Sequence, residues 1–181
     1  MKFRQLSKVT VIYLVMLLMS CGQQYQVADR NMQVEAKQDT NETVQPDISC
    51  KLNIAAKQKR VNGVLIDFLL TNHSDNDFSV LTWYTPLEGF YSNLFIITDQ
   101  FGEPIAYQGP MVKRLGPSAA NYQLLSANST VSTALDLTLV YDLQPGDYKL
   151  QLNKQVLRVI ENDLPMRLYP CQTDILTFQV N

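Results

Sequence analysis

An all-β fold is the class that the sequence predicts, and three observations predict it. Apolar residues alternate with polar ones in short runs, clusters of turn-forming residues separate those runs, and no stretch keeps a helical period for a useful length. An immunoglobulin-like antiparallel β-sandwich of about seven to nine strands satisfies all three observations. A barrel is the less favoured alternative.

The first twenty residues are typical of an export signal. Lys2, Arg4 and Lys8 precede an apolar run, Val9 to Met19, that is shorter than the roughly 20 residues needed to span a bilayer. The run ends in Leu18-Met19-Ser20-Cys21, which resembles a bacterial lipobox. The alternative is an ordinary secretory signal followed by a chance cysteine.

The lipobox resemblance implies cleavage before Cys21 and lipidation of its sulfur, and several acyl chains together anchor a protein stably. Gly22 stands where an aspartate would resemble an inner-membrane retention signal, so the resemblance favours the outer membrane. We therefore expect a lipid-anchored protein of the cell envelope, with a signal peptide at 1–20, the lipidated cysteine and a polar flexible tether at 21–47, and the sandwich at 48–181.

The first three strands are predicted from strict alternation. Ile48 to Ala56 forms the first, Val64 to Leu70 the second and Phe78 to Trp83 the third, with Asn- and Asp-rich turns between them. The later strands are expected at 94–98, 105–107, 122–125, 131–135, 148–152 and 176–180, with one helical turn within 137–143. Residues 94–98 and 105–107 are expected to pair as a hairpin. Tyr141 is expected to bond back to the backbone, as tyrosines near a late strand of such sandwiches do.

The corner from Leu81 to Gly89 carries the single tryptophan of the sequence, Trp83. Its aromatic residues form either a binding patch or, as the favoured interpretation, part of the core. The basic pair at 113–114 is expected to be solvated, with a contact to an anion or a partner as the alternative. The candidate partner-binding residues are Trp83, Tyr84, Pro86, Glu88, Lys113 and Arg114.

Two cysteines remain if Cys21 is lipidated. Cys50 lies in the first predicted strand and Cys171 just before the last, and such strands often neighbour each other, so we predict a disulfide. Two buried thiols that never meet are the alternative. Closing so long a loop restricts the unfolded chain by roughly 4–5 kcal/mol in the chain-entropy model.

Catalytic chemistry is sparse in this sequence. His73 is its one histidine, so a site that needs two imidazoles is excluded, and His73-Ser74-Asp75 are neighbours that point apart rather than converge. Asp75 and Asp77 lack the remaining pattern of a calcium loop, and no partner is evident for Glu88 or Glu103. A net charge of −2 gives no case for nucleic acid binding. We expect no metal, no cofactor and no enzymatic activity.

Several segments occur in an order that resembles a known family. They are Leu70-Thr71-Asn72, Val80 to Gly89, Tyr107 to Arg114, Asn121-Tyr122, Asp136-Leu137, Tyr141-Asp142 and Pro145 to Tyr148. The series resembles the β-sandwich domain ahead of the catalytic domain in bacterial deuterolysin-like, peptidyl-Lys-type zinc metalloendopeptidases, over about Cys50 to Val180. The resemblance implies the fold and an extracytoplasmic setting. It implies no catalytic residue here, because the H-E-x-x-H motif of those peptidases has no match.

These observations lead to a functional expectation with two alternatives. The leading hypothesis is a non-enzymatic, membrane-anchored lipoprotein that binds a protein partner through the tryptophan corner or the loop at 109–117. One alternative is a regulator, inhibitor or folding aid, of a secreted metallopeptidase. The other is a structural envelope lipoprotein without a discrete ligand.

Overall fold

The computed structural model describes residues 46–161 and 164–181. The predicted signal peptide, the lipidation of Cys21 and the tether up to residue 45 lie outside the described residues. Within the described ranges, no helix is both long and apolar enough to cross a membrane.

Short strands in three sheets make up nearly all of the regular structure. The strands are β1 (Ile48–Ile54), β2 (Lys57–Gln58), β3 (Leu65–Asn72), β4 (Phe78–Leu81), β5 (Phe95–Asp99), β6 (Tyr122–Leu125), β7 (Thr130–Asp136), β8 (Gly146–Leu152), β9 (Val156–Glu161), β10 (Arg167–Pro170) and β11 (Leu176–Val180). The 3-10 turns are Arg60–Asn62, Pro86–Glu88, Ala119–Asn121 and Leu137–Leu139.

The sheets have the orders β1-β3-β7, β10-β9-β4-β6 and β2-β11-β8-β5. All strand pairs are antiparallel except the short parallel pair of β11 with β2. Apolar side chains from all three sheets share one buried core, so the sheets pack in a sandwich-like arrangement. The predicted all-β sandwich class is therefore confirmed.

The alternation that predicted β3 is visible in its burial. Ile66, Phe68 and Leu70 lie in the core, while Leu65 and Asp67 on the opposite face are exposed. Burying such apolar side chains stabilises the fold by about 1.5–3 kcal/mol each. The period-two pattern thus sets both the strand and the face that it buries.

Eleven strands in the described residues exceed the predicted seven to nine. The sequence reading did not predict β2, β9 or β10. β2 has two residues, too few for any periodicity. In β9, however, buried Leu157 and Val159 alternate with Arg158 and Ile160, so the signal was present.

The loop after β5 forms only part of the expected hairpin. Pro104 bridges Thr98 and the N–H of Ile105 donates to Ile97 O at 2.9 Å, but Tyr107 bridges Tyr141 instead of continuing along β5. Proline has no N–H to donate to a ladder, which prevents regular pairing at that position. The predicted helical turn within 137–143 is present as Leu137–Leu139.

The predicted disulfide joins Cys50 of β1 to Cys171 just after β10, across 121 residues of sequence and with Cα atoms 5.1 Å apart. The backbone N–H of Cys171 also donates to Gln155 O at 2.8 Å, at the start of β9. The bond therefore holds two different sheets together at the end of β10. The disulfide prediction is confirmed.

Two tyrosines link the late loops to the core. The hydroxyl of Tyr141 lies 2.8 Å from Asn93 Oδ1 and 3.2 Å from Phe95 O, which confirms the expected bond to backbone. Burial raises the pKa of Tyr141 far above its usual value. The ring of Tyr107 packs against it with centroids 5.5 Å apart, and the Tyr107 hydroxyl is 3.0 Å from Phe90 O and from Pro110 O. This contact joins the loop after Gly109 to the end of the tryptophan corner.

Candidate binding site

The corner that follows β4, residues 81–89, is shaped by its turn residues. Thr85 caps the 3-10 turn, because its Oγ1 accepts from Leu87 N at 3.3 Å, and Pro86 begins that turn. Gly89 ends it with φ of 79°, in the region that favours glycine. We call these residues the Trp83 corner.

Tyr84 adopts a left-handed backbone conformation with φ of 63°. Such a conformation costs a residue with a side chain about 1–2 kcal/mol, so something must hold it. The carboxylate of Glu88 does so by accepting from Tyr84 N at 2.9 Å. Strained residues of this kind concentrate at functional sites.

Glu88 is the centre of the corner. Its side chain is 5% exposed and accepts from Arg114 Nη2 at 2.6 Å, while Ser92 Oγ lies 3.3 Å from its other oxygen. Hydrogen bonds to an ionised carboxylate are shorter and stronger than neutral ones, and here they compensate for burial. The sequence suggested no acid–base partner for Glu88, and the structure pairs it instead with a cation from 26 residues further along the chain.

Arg114 covers the tryptophan. Its guanidinium carbon lies 5.1 Å from the centroid of Trp83, and its side chain is only 18% exposed. Lys113 is exposed, so the expectation of a solvated basic pair was right for Lys113 and wrong for Arg114. The favoured placement of Trp83 in the core was also wrong. Its ring is half-buried beneath Arg114, and the buried residues of the corner are Leu81, Thr85 and Pro86 instead.

A concave site of about 290 Å³ opens beside the two aromatic rings, and we call it the cleft. The ammonium nitrogen of Lys154 lies 3.8 Å from the centroid of the Tyr84 ring, close enough for a cation–π contact. The cleft is lined by Trp83, Tyr84, Lys154, Gln155, Val156, Arg158 and Leu168.

The charge of the cleft is positive. Of the residues that the structure describes, Lys154 and Arg158 line it and no carboxylate does. Two acidic residues of the same sheet and corner pair with other cations, because Glu88 pairs with Arg114 and Glu161 lies 3.7 Å from Arg167. An uncompensated positive site on a chain of net charge −2 attracts anionic groups to that place.

A second concave site, of about 350 Å³, lies over β2, β8 and β11. Its charged residues are mixed, since Lys57 and Lys149 accompany Asp99 and Asp147. It has neither a tryptophan nor a strained residue. The positive charge of the cleft and the strained backbone of Tyr84 in its lining therefore distinguish it from this larger concave site.

The structure brings Trp83, Tyr84, Glu88 and Arg114 of the predicted site together and leaves Lys113 outside the cleft. Sequence reasoning missed the opposite wall, which comes from β9, β10 and the turn before them. The alternation of β9 would have exposed Arg158 as an outward residue. No pattern in the sequence places Leu168 near Tyr84, because strand pairing sets that distance.

The turn at 72–77 shows no catalytic arrangement. His73 Nε2 lies 2.7 Å from Ser49 Oγ rather than from Ser74, in an exposed position unlike the water-excluded sites of hydrolases. Asp75 and Asp77 accept from Asn128 and from Ala127 N, so they brace the turn. Within the described ranges, no three His, Cys, Asp or Glu side chains are grouped to hold a metal ion.

Comparisons with known proteins relate part of the chain to a protease. The chain is 27% identical over 107 residues to an extracellular protease of Aeromonas hydrophila, a region that covers 56% of this chain and 30% of that protein. The chain thus matches less than a third of that protease. No family model matches the chain.

A solved structure, β-glucosidase from Listeria innocua in complex with isofagomine, is similar over 71% of this chain and 16% of that enzyme. The identity is 9% and the TM-score is 0.28, a likeness that supports no inference.

Proposed function

We propose that this chain is a non-enzymatic, membrane-anchored lipoprotein that acts as a protein-binding or accessory module of the cell envelope. The observation that supports it best is the Trp83 corner, where a buried ion pair holds two aromatic rings at the surface. The positive-φ backbone of Tyr84 costs the fold free energy, yet the rings of Tyr84 and Trp83 are held in place beside the cleft. Tryptophan, tyrosine and arginine side chains are enriched at protein-binding surfaces, and here Trp83 and Tyr84 are partly exposed beside the cleft.

The anchor rests on the lipobox-like sequence ending at Cys21, with the outer membrane favoured over the inner one. The Cys50–Cys171 disulfide agrees with an extracytoplasmic location, because such bonds persist in oxidising compartments. Metabolic labelling with palmitate should mark the full chain and leave the Cys21→Ser variant unmarked. An unlabelled wild-type chain would contradict the anchor.

Partner binding is tested by site-specific photo-crosslinking in intact cells. A photo-reactive residue in place of Gln155, inside the cleft, should capture a discrete envelope protein. The same residue in place of Lys51, exposed on β1, is the matched control and should capture much less. The absence of any product from position 155 would contradict the proposed function. So would chelator-sensitive cleavage of lysine-containing proteins in the presence of zinc.

A regulator of a secreted metallopeptidase acting in trans is the second candidate. The partial match to an extracellular protease and the resemblance to the leading domain of peptidyl-Lys-type zinc metalloendopeptidases favour it. It predicts that the crosslinked partner is a metallopeptidase whose activity or folding yield changes when this chain is added. A partner without peptidase activity would remove this candidate and keep the first.

A further inference from the structure

We infer that the cleft binds acidic peptide segments in which a carboxylate neighbours an aromatic or aliphatic side chain. The inference rests on the proposed protein-binding function and names the chemistry of the partner. It follows from three separate properties of the cleft: its positive charge, the apolar side chains that line it, and the contacts that hold its aromatic rings in place.

The charge selects an anion. Lys154 and Arg158 can each donate to a carboxylate, and among residues 46–161 and 164–181 no acidic side chain lines the cleft to compete. Both residues are exposed, so they are available to a partner. Lys154 already lies over the Tyr84 ring, which fixes the position of its charge at the mouth of the cleft.

The apolar side chains that line the cleft favour a ligand in which an apolar group neighbours the anionic group. Val156 is 51% exposed and Leu168 is 68% exposed, and they face the cleft together with Trp83 and Tyr84. A bare inorganic anion would leave these four side chains in water. An aromatic or aliphatic side chain beside the carboxylate would cover them and gain free energy from burial.

The aromatic residues of the cleft are already held in place before a ligand binds. Glu88 holds the strained backbone of Tyr84 and, through Arg114, the ring of Trp83. A site whose aromatic groups are fixed in advance loses less conformational entropy on binding. The volume of about 290 Å³ is at the small end of ligand sites, so it accepts one or two side chains of a segment.

Two other anionic partners have less support. A membrane of anionic lipid attracts clusters of several cations on an open surface, whereas the cleft is concave and has two. Free phosphate or a sugar acid matches the charge but leaves the apolar walls uncovered. Both are therefore included as probes in the test.

Trp83 makes the test direct, because it is the one tryptophan of the sequence and it lines the cleft. The full chain in detergent is titrated with an N-acetylated, C-amidated hexapeptide of alternating aspartate and phenylalanine while tryptophan emission is recorded. We expect saturable binding that weakens as sodium chloride is raised from about 50 to about 500 mM. The matched hexapeptide with lysine in place of aspartate should not bind.

Variants locate the binding. The double variant Lys154→Glu/Arg158→Glu should weaken binding at least about tenfold, because two attractive charges become repulsive. Lys51→Glu/Lys57→Glu makes the same change in net charge away from the cleft and should alter affinity less than about twofold. Thermal unfolding of both variants checks that they are folded.

Four results would overturn the inference. The first two are equal binding of both hexapeptides and equal effects of the two double variants. The third is saturation of the site by inorganic phosphate alone at comparable concentration. The fourth is binding to vesicles of anionic lipid without binding to the acidic peptide. The crosslinking experiment separates this failure from failure of the proposed function. Capture of a partner from position 155 that persists in the Lys154→Glu/Arg158→Glu background would keep the function and remove the acidic-peptide chemistry.

Discussion

Two corners of this protein contain the same kind of carboxylate-to-backbone hydrogen bond, but the two corners differ in what surrounds it. In each, a carboxylate next to a 3-10 turn accepts from a backbone N–H: Glu88 ends the turn Pro86–Glu88 and accepts from Tyr84 N just before that turn. Asp136 precedes the turn Leu137–Leu139 and accepts from Thr138 N within it. Asp136 receives only neutral donors, Val64 N at 3.0 Å and Thr138 N and Oγ1 at 3.0 and 2.7 Å. Glu88 also receives a guanidinium, and its corner leaves two aromatic rings at the surface.

The difference shows how a structural corner can be told from a candidate site. At the Asp136 corner, the hydrogen-bond donors and the neighbouring Gly63 all lie where β3 joins β7, so strand pairing explains the contacts of that corner. The Trp83 corner instead holds the positive-φ backbone of Tyr84 and leaves the rings of Trp83 and Tyr84 partly exposed beside the cleft. Three substitutions test this contrast, in order of decreasing effect on stability.

The largest effect is expected from Glu88→Ala. It would leave the guanidinium of Arg114 largely buried without its partner, so the free energy of unfolding should fall by about 3 kcal/mol. Denaturant unfolding measures the change, with exposed Glu103→Ala as the control, expected within about 0.5 kcal/mol of wild type. Replacing both members, Glu88→Leu with Arg114→Met, should cost less than Glu88→Ala alone. A cost of less than about 1 kcal/mol for Glu88→Ala would show that the corner does not depend on this pair.

A smaller effect is expected from Gly63→Ala, with Gly89→Ala as its matched control. Both glycines have positive φ, 82° and 79°. A Cβ at Gly63 would lie 2.5 Å from Asp136 Oδ2, a carboxylate held by three hydrogen bonds, whereas a Cβ at Gly89 meets nothing within 4 Å. Gly63→Ala should therefore destabilise by about 2–3 kcal/mol and Gly89→Ala by about 1 kcal/mol. Equal losses of stability for Gly63→Ala and Gly89→Ala in thermal or denaturant unfolding would argue that the positive φ alone, and not the contact with Asp136, sets the cost at both positions.

The smallest of the three is expected from Asp136→Asn, and it should depend on pH. Burial raises the pKa of Asp136, but hydrogen bonds from Thr138 and from Val64 N outweigh it, so the pKa lies below its usual 3.8. A carboxylate with a lowered folded pKa stabilises the fold above the unfolded value and loses that contribution as pH falls through the folded one. At neutral pH the variant should cost about 1–2 kcal/mol.

The measurement is the free energy of unfolding of wild type and Asp136→Asn between about pH 6 and about pH 2, where the difference should shrink as acid protonates the carboxylate. Asp67→Asn, which alters an exposed carboxylate of β3, is the control and should show little difference at any pH. A difference that stays constant through the acid range would contradict the assigned role of ionised Asp136.

Local pattern was enough to predict much of this molecule. The period of two identifies β1, β3, β4, β8 and β11, because a half-buried strand alternates wherever it lies, and short apolar runs between turns identified β5, β6 and β7. The cysteines at 50 and 171 were predicted to pair because one lies in the first predicted strand and the other just before the last, and such strands of a sandwich often neighbour each other. The single histidine and its place in a turn already argued against a two-imidazole metal site.

Tertiary structure alone decided the cleft. Glu88 and Arg114 are 26 residues apart, and Lys154 lies 70 residues beyond Tyr84, so no local rule predicts that they meet. Whether Trp83 is core or surface depends on which side chain covers it, and the answer, Arg114, comes from a loop without regular structure. Alternation specifies which face of a strand is buried, but only sheet order and loop packing determine which distant residues share a site.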